Sequence, residues 1–450
     1  MIIHVRGFGK IESADIDMSN LVIFVGENNS CKTYLMQLIY GLFSFLYNYN
    51  FNEFAGSLNS LRHNDSILKV DPENAAFYSE LKNKLNILID IHKQEIIENT
   101  FHTRSLSIDS LSVEFEPLEN DYSIKYVEMT SDSQKKFALS VNDHIITHIS
   151  FKEKMSDKDI EFIKKRELLS IILMELTSVN LIGHRKSSNF PIVYLPASRS
   201  GIMLLYANYL SNDSKQPEPD DGIIIENTDT ELENEYGLTE PVYNFLMFLL
   251  KYKFSEFNSE ANKDIISFID SNILNGRLEK TGNTMRYVPS SANSSIPIFL
   301  SSSLVSEIAP IYQVLTGIQR FGYILYDEIE TCQHPTKQLQ IARLLIRMVN
   351  SGYRMIVSTH SDTMAAAINN VVTLSYKKNR DSLANKLGYD EADYLKSAAV
   401  KAYQFIIEDG KTKVSEIESH FPLGIGFDFD LFNKANDKIY QDAAALAEVD

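Results

Sequence analysis

Tryptophan is absent from this 450-residue chain, and cysteine occurs only twice, as Cys31 and Cys332. Two cysteines so far apart build neither a disulfide framework nor a thiolate zinc site, which fits a reducing cytoplasm. No run of about 18 apolar residues is present, so no membrane span is expected. Met1 to Arg6 reads as a strand and lacks the basic opening and apolar stretch of a secretory leader. Basic residues are in short supply, with 43 Lys and Arg against 60 Asp and Glu and a net charge of −17. Such a balance favours solubility and opposes non-specific binding to nucleic acid. A large DNA-wrapping surface is not expected, and direct nucleic-acid contact at a local patch is left open. The two basic runs, Lys164-Lys165-Arg166 and Lys377-Lys378-Asn379-Arg380, read as solvated faces.

The length exceeds what one hydrophobic core fills, so two or three units are expected. Residues 2–25 read as strands, ending in the continuous apolar run Leu21-Val22-Ile23-Phe24-Val25 that suits a strand buried on both faces. A helix is expected from Lys32 to about Phe45. Residues 49–190 mix helical stretches (74–98 and 156–178) with strand-like pieces near 109–116, 122–129 and 144–151, and read as an inserted α+β arm or lobe. Residues 191–300 read as a lid and helical lobe. They open with a return to the core sheet at Pro191–Leu195 and include a helical segment, 239–274. Within them, 213–235 carries nine acidic residues and one lysine, broken by Pro217, Pro219 and Gly222, and reads as a loop. Residues 301–420 alternate helix and strand, the mark of an α/β core. They finish in a hairpin turning at Asp409-Gly410. An acidic terminal helix is expected within 421–450.

Four motifs carry chemistry. The first is Gly26-Glu27-Asn28-Asn29-Ser30-Cys31-Lys32-Thr33, between a buried strand and a helix. In that setting backbone N–H groups and a helix N-terminus cradle phosphates, Lys32 bridges the β- and γ-phosphates, and Thr33 holds magnesium. The loop departs from the P-loop pattern at Cys31, where glycine is usual. Any Cβ resists the backbone angles wanted there, at about 1 kcal/mol or somewhat more. Weaker phosphate binding follows. A small tolerated side chain is the plainer reading of Cys31, and redox regulation at a helix N-terminus is the other. The second motif is Tyr323-Ile324-Leu325-Tyr326-Asp327-Glu328, a strand running into two carboxylates. Asp327 would support magnesium and Glu328 would polarise the attacking water. The third is Met355–Ser361, where a buried strand delivers His360 to its end, within reach of the γ-phosphate or the water. The fourth is Ser301-Ser302-Ser303 before a helical stretch, where Ser302 and Ser303 either cap the helix or face a phosphate.

In this order the motifs resemble the ABC ATPase superfamily, and within it the overcoming-lysogenization-defect type of ATPase. The likeness rests on Arg6-Gly7-Phe8, on Gly26–Ser30 as a Gly-x-Asn-Asn-Ser loop and on Tyr194–Ser200. It rests also on Ser301–Ser303 in place of a Ser-Gly-Gly signature, and on Glu328-Ile329-Glu330 with His334-Pro335. It covers 1–45 and 190–420 well and 50–190 poorly. What it implies is an α/β ABC-ATPase head, with mixed and parallel sheets flanked by helices, that hydrolyses ATP with Mg2+. Arg6, Gly26, Asn28, Asn29, Ser30, Cys31, Lys32, Thr33, Ser302 and Ser303 would bind nucleotide. Glu328 and His360 would be catalytic, and Thr33 and Asp327 would hold the metal. Two heads would sandwich ATP, so a homodimer at least, or a higher ring, is implied. Arg199 reads equally as a phosphate contact or as a surface ion pair.

Many such ATPases carry a C-terminal Toprim nuclease. Here 90 residues follow His360, and Asp428-Phe429-Asp430 reads as a helix cap. The chain therefore resembles the stand-alone ATPases of the PARIS and Septu anti-phage systems. That resemblance implies a cytoplasmic sensor responding to a phage protein and controlling a separately encoded effector, a Toprim or HNH nuclease. The same motifs also serve DNA-repair and chromosome-associated ATPases of the SMC and RecF kind. Those separate their motifs with long heptad coiled coils, for which 45–190 is too short. A scaffold with a dead ATP site is the third reading, motivated by Cys31.

Overall fold

In the computed structural model, the structure describes residues 1–49, 67–119, 192–197, 199–203, 237–281, 284–292, 294–395, 400–421 and 426–447, with the strands and scattered positions between 63 and 172 given below or in the core. The expected helix at 156–178 lies mostly outside these residues, and the acidic loop 213–235 wholly so.

Strands β1 (Ile2–Phe8), β2 (Ile11–Asp17) and β3 (Leu21–Gly26) lead into helix α1 (Lys32–Asn48). Later strands are β4 (His63–Asn64), β5 (Ile67–Val70), β6 (Ser110–Glu114), β7 (Tyr122–Glu128), β8 (Lys135–Val141), β9 (His144–Phe151) and β10 (Ile192–Leu195). After them come β11 (Gly276–Thr281), β12 (Thr284–Pro289), β13 (Ile296–Pro297), β14 (Tyr323–Tyr326), β15 (Arg354–Thr359), β16 (Val400–Glu408) and β17 (Lys411–Glu416). Nine of them form one mixed sheet in the order β10-β14-β15-β3-β16-β17-β2-β1-β6. From β10 to β16 the neighbours are parallel. The α/β class with helices flanking a mixed sheet is as expected.

The sheet divides two cores, and side-chain alternation shows why its central strands must be apolar throughout. Val22 and Phe24 of β3 enter one core, Leu21, Ile23 and Val25 the other. The same split separates Tyr323 and Leu325 from Ile324 and Tyr326 on β14. Each such side chain contributes about 1.5–3 kcal/mol when fully buried. Helix α1 and helix α2 (Ala75–Phe101) cover the first core. Helices α3 (Glu240–Leu250), α4 (Ser303–Thr316), α5 (Pro335–Asn350) and α6 (Asp362–Ser375) contribute to the second.

Two expectations on organisation need correction. The stretch 49–190 is not wholly a separate arm. β6 pairs with the edge of β1 in the main sheet, burying Leu111 and Val113, and α2 packs on α1. Gly41 permits that close approach, because a Cβ there would lie 1.8 Å from Thr100 Oγ1. The arm proper is the antiparallel sheet β4-β5-β7-β8-β9, of which β4, β5 and β8 were not anticipated. The single helical segment 239–274 is in fact α3, two short helices (Glu256–Ala261 and Lys263–Phe268) and a π-helical turn Ile269–Leu274. The chain breaks there because Ser255 restarts the helix by accepting from the Asn258 N–H, while the Ser255 N–H turns to the Thr316 carbonyl. The small sheet β11-β12-β13 also belongs to this lobe and was not foreseen. The hairpin at Asp409-Gly410 and the terminal helix (Asp430–Ala447) stand where expected.

Candidate nucleotide site

The phosphate loop is a strained turn. Gly26 closes β3, where a Cβ would meet the Phe405 carbonyl oxygen at 2.8 Å and Ser30 Oγ at 2.9 Å. Asn29 and Cys31 both take left-handed angles, φ 61° and 70°. Asparagine tolerates this region better than most residues, whereas cysteine pays the Cβ penalty, so position 31 has a glycine-type backbone without glycine. Cys31 is the N-cap of α1 and makes no side-chain cap bond. The first-turn N–H groups of α1 thus receive no bond from the cap side chain, which suits an anion at the helix end. Asn28 and Asn29 are exposed, and Ser30 is buried.

Lys32 is folded back into the loop. Its ammonium donates to the Gly26 carbonyl at 2.8 Å, the Glu27 carbonyl at 2.9 Å and Ser30 Oγ at 3.1 Å. Burial lowers its pKa to about 8, against the opposing charges of Asp327 and Glu328. The Thr33 hydroxyl donates to Asp327 Oδ2 at 2.7 Å. The Asp327 carboxylate, fully buried, also accepts from the Tyr194 hydroxyl at 2.9 Å and from Ser358 Oγ. Tyr194 is fixed in turn by Gln37 of α1 at 3.2 Å. Two strands and a helix therefore aim hydroxyl groups at one carboxylate.

Glu328 and His360 complete the cluster. Nε2 of His360 lies 3.2 Å from Glu328 Oε1, and Nδ1 lies 2.8 Å from the Gly26 carbonyl oxygen and 3.2 Å from Lys32 Nζ. With its proton on Nε2 the ring donates to Glu328 and leaves Nδ1 to accept from Lys32, and with the proton on Nδ1 it donates to the Gly26 carbonyl. The His360 hydrogen bond holds the Glu328 carboxyl below its ordinary range, with partial burial working against it. Glu330 accepts the backbone N–H of His360 at 2.6 Å and so sets the end of β15. The structure thus brings Gly26, Ser30, Lys32, Thr33, Asp327, Glu328 and His360 together.

It does not bring Arg6, Ser302 or Ser303 to them. Arg6 lies four strands from β3 in the sheet order, and its guanidinium bonds Asp15 at 2.7 Å and the carbonyls of Val5 and Ala14. Its assignment to nucleotide is corrected to an ion pair across the β1–β2 ladder. Ser302 is the N-cap residue of α4, yet its side chain makes no cap bond, and both Ser302 and Ser303 are exposed. Neither reading of Arg199 holds. It is neither a phosphate contact nor a surface pair but fully buried, ion-paired to the equally buried Glu307 at 2.7 Å. That contact is too bent to count as a hydrogen bond for Nε. Tyr194, Ser358 and Glu330 are the site residues that motif reading passed over. Their signal was weak, a polar atom within or just after an apolar strand.

The family model described as "AAA ATPase domain" matches residues 1–365. No curated protein matches the sequence. Among solved structures, an SMC head bound to the C-terminal winged-helix domain of ScpA is 11% identical, covers 94% of this chain and 98% of its own, and has a TM-score of 0.38. An SMC head domain from Thermotoga maritima is 12% identical over 93% and 98%, with a TM-score of 0.34. An Smc head domain with an extended coiled coil, bound to the C-terminal domain of ScpA derived from Pyrococcus furiosus, is 12% identical over 98% and 98%, with a TM-score of 0.35. No helix among the described residues is long and apolar enough to cross a membrane.

Proposed function

Because the chain belongs to the AAA ATPase domain family, we propose that it binds ATP with Mg2+ and hydrolyses it as the sensor and scaffold subunit of a prokaryotic anti-phage complex. The observation that carries the ATPase reading is the meeting of Lys32, Thr33, Asp327, Glu328 and His360 at the C-terminal ends of three adjacent parallel strands. Thr33 and Asp327 offer the oxygen donors that Mg2+ takes. When bound, the ion neutralises phosphate charge. The N–H groups of the loop would hold the phosphate chain. Lys32 would exchange its carbonyl partners for phosphate oxygens. Glu328, kept ionised by His360, is placed to accept a hydrogen bond from the attacking water, and His360 to orient that water.

In this reading a second copy supplies Ser302 and Ser303 to the open side of the site, so the working form is a dimer at least. The complex acts in the cytoplasm, is triggered by a phage protein and controls a separately encoded effector, a nuclease of Toprim or HNH type. Support comes from the Gly26–Ser30 loop form, the Tyr194–Ser200 stretch and the serine motif, each of which resembles the anti-phage ATPases. The test is phage challenge of cells carrying the chain with and without the neighbouring gene. Protection that needs the neighbour together with Lys32 and Glu328 is expected. Full protection by the chain alone, or by Lys32→Ala as well as wild type, would overturn the reading.

A further inference from the structure

We infer that Arg199 is a positioning residue that fixes the backbone of Glu328 and ties it to the helix carrying Ser302 and Ser303. The inference rests on the ATPase reading of the site. Glu328 has φ 44°, a left-handed conformation that a glutamate keeps only when its surroundings over-determine it. Those surroundings are specific. The Glu328 N–H donates to Ser358 Oγ at 2.8 Å, and the Glu328 carbonyl accepts from the Thr331 N–H at 3.1 Å and from Arg199 Nη2 at 3.0 Å. Arg199 Nη1 donates to the carbonyls of Asp327, at 2.5 Å, and Pro196, at 2.8 Å. One guanidinium thus holds two consecutive carbonyls of the catalytic turn.

The same group faces α4. Glu307, one turn in from the serine end, meets Arg199 through Oε2 and accepts the Ser200 N–H through Oε1 at 3.0 Å. The guanidinium also lies over the Tyr326 ring, 4.6 Å from its centroid, on the strand that leads into Asp327. A buried ion pair is weak support for stability, since apolar residues of equal volume often serve as well. What they cannot do is hold three carbonyls at fixed angles while facing a carboxylate, which a planar fork does and a lysine does not. A shift of α4, such as engagement of its serine end would bring, moves Glu307 and with it the Arg199 fork. The fork is bonded to the backbone of Glu328. Occupancy at the serine end is thereby read at the catalytic carboxylate.

The test compares full-length variants in steady-state ATP turnover and in binding of a fluorescent ATP analogue. Arg199→Lys keeps a positive charge opposite Glu307 but loses the fork. Its kcat is expected to fall by up to about 10²-fold, the cost of a small misplacement near the chemistry, with affinity for the analogue unchanged. Arg199→Ala alone strands a buried carboxylate and tends to unfold the chain, so the control is Arg199→Met with Glu307→Leu, which buries no lone charge. That pair should fold, bind the analogue and turn over slowly. Wild-type kcat in a folded variant, or a rise in KM with kcat intact, overturns the inference and leaves the ATPase reading standing. A wild type without ATP turnover, with or without its effector, sinks both.

Discussion

From β10 to β16 the strands of the main sheet run parallel and end together, whereas from β17 to β6 their direction changes and no common end forms. All the converging polar groups, Lys32, Thr33, Asp327, Glu328 and His360, sit on the parallel side. The other side has polar and charged residues too, but Arg6, Asp15, His4 and Glu114 pair with one another along the ladder. Parallel strands that end in register place the residues after them in one crevice, and helix N-termini point the same way. Changes of direction scatter the strand ends. The difference lies in topology more than in composition.

That contrast can be broken by substitutions on either side. The largest effect is expected at Glu328→Gln, which should lower kcat by about 10²–10⁴-fold and leave a nucleotide-bound species that gel filtration detects. Next is Lys32→Ala, which removes a charge-assisted contact of about 1.5–3 kcal/mol and should weaken ATP binding about tenfold or more in titration. The wild type should show a matching pH dependence. The binding form of Lys32 is protonated and its pKa is about 8, so affinity should fall as pH rises through 8 and stay flat in Lys32→Ala. A smaller change is expected from Cys31→Gly, which relieves a left-handed cysteine and should raise stability by about 1 kcal/mol in denaturant unfolding. A loss there would remove the strain account of position 31. The smallest is Arg6→Ala on the other side, a half-exposed pair worth about 0.2–1 kcal/mol, with ATP affinity unchanged. A large loss of affinity would return Arg6 to the site.

Local signals were read well. The phosphate loop, the apolar runs before Asp327 and before His360, and the turn at Asp409-Gly410 are each fixed by neighbours within a few residues. Their strands and helices fall within a few positions of expectation. Position 31 was also legible, because its backbone conformation follows from the loop itself. The misreadings were long-range. The pairing of β6 with β1 joins segments about a hundred residues apart. Arg6 was drawn to the nucleotide by its motif, yet its partner is Asp15 on the neighbouring strand.

The sequence by itself determined the loop, its strain at Cys31, the central strands and the carboxylates and histidine that follow them, since these depend on periodicity and on short-range sterics. Only the tertiary structure decided which side of the sheet gathers them. Only it added Tyr194 and Ser358 to Asp327, and buried Arg199 between the Glu328 turn and Glu307. A buried ion pair links residues 108 positions apart, and nothing in either neighbourhood announces it. Desolvation makes such a pair costly unless the whole surrounding fold supplies its partners.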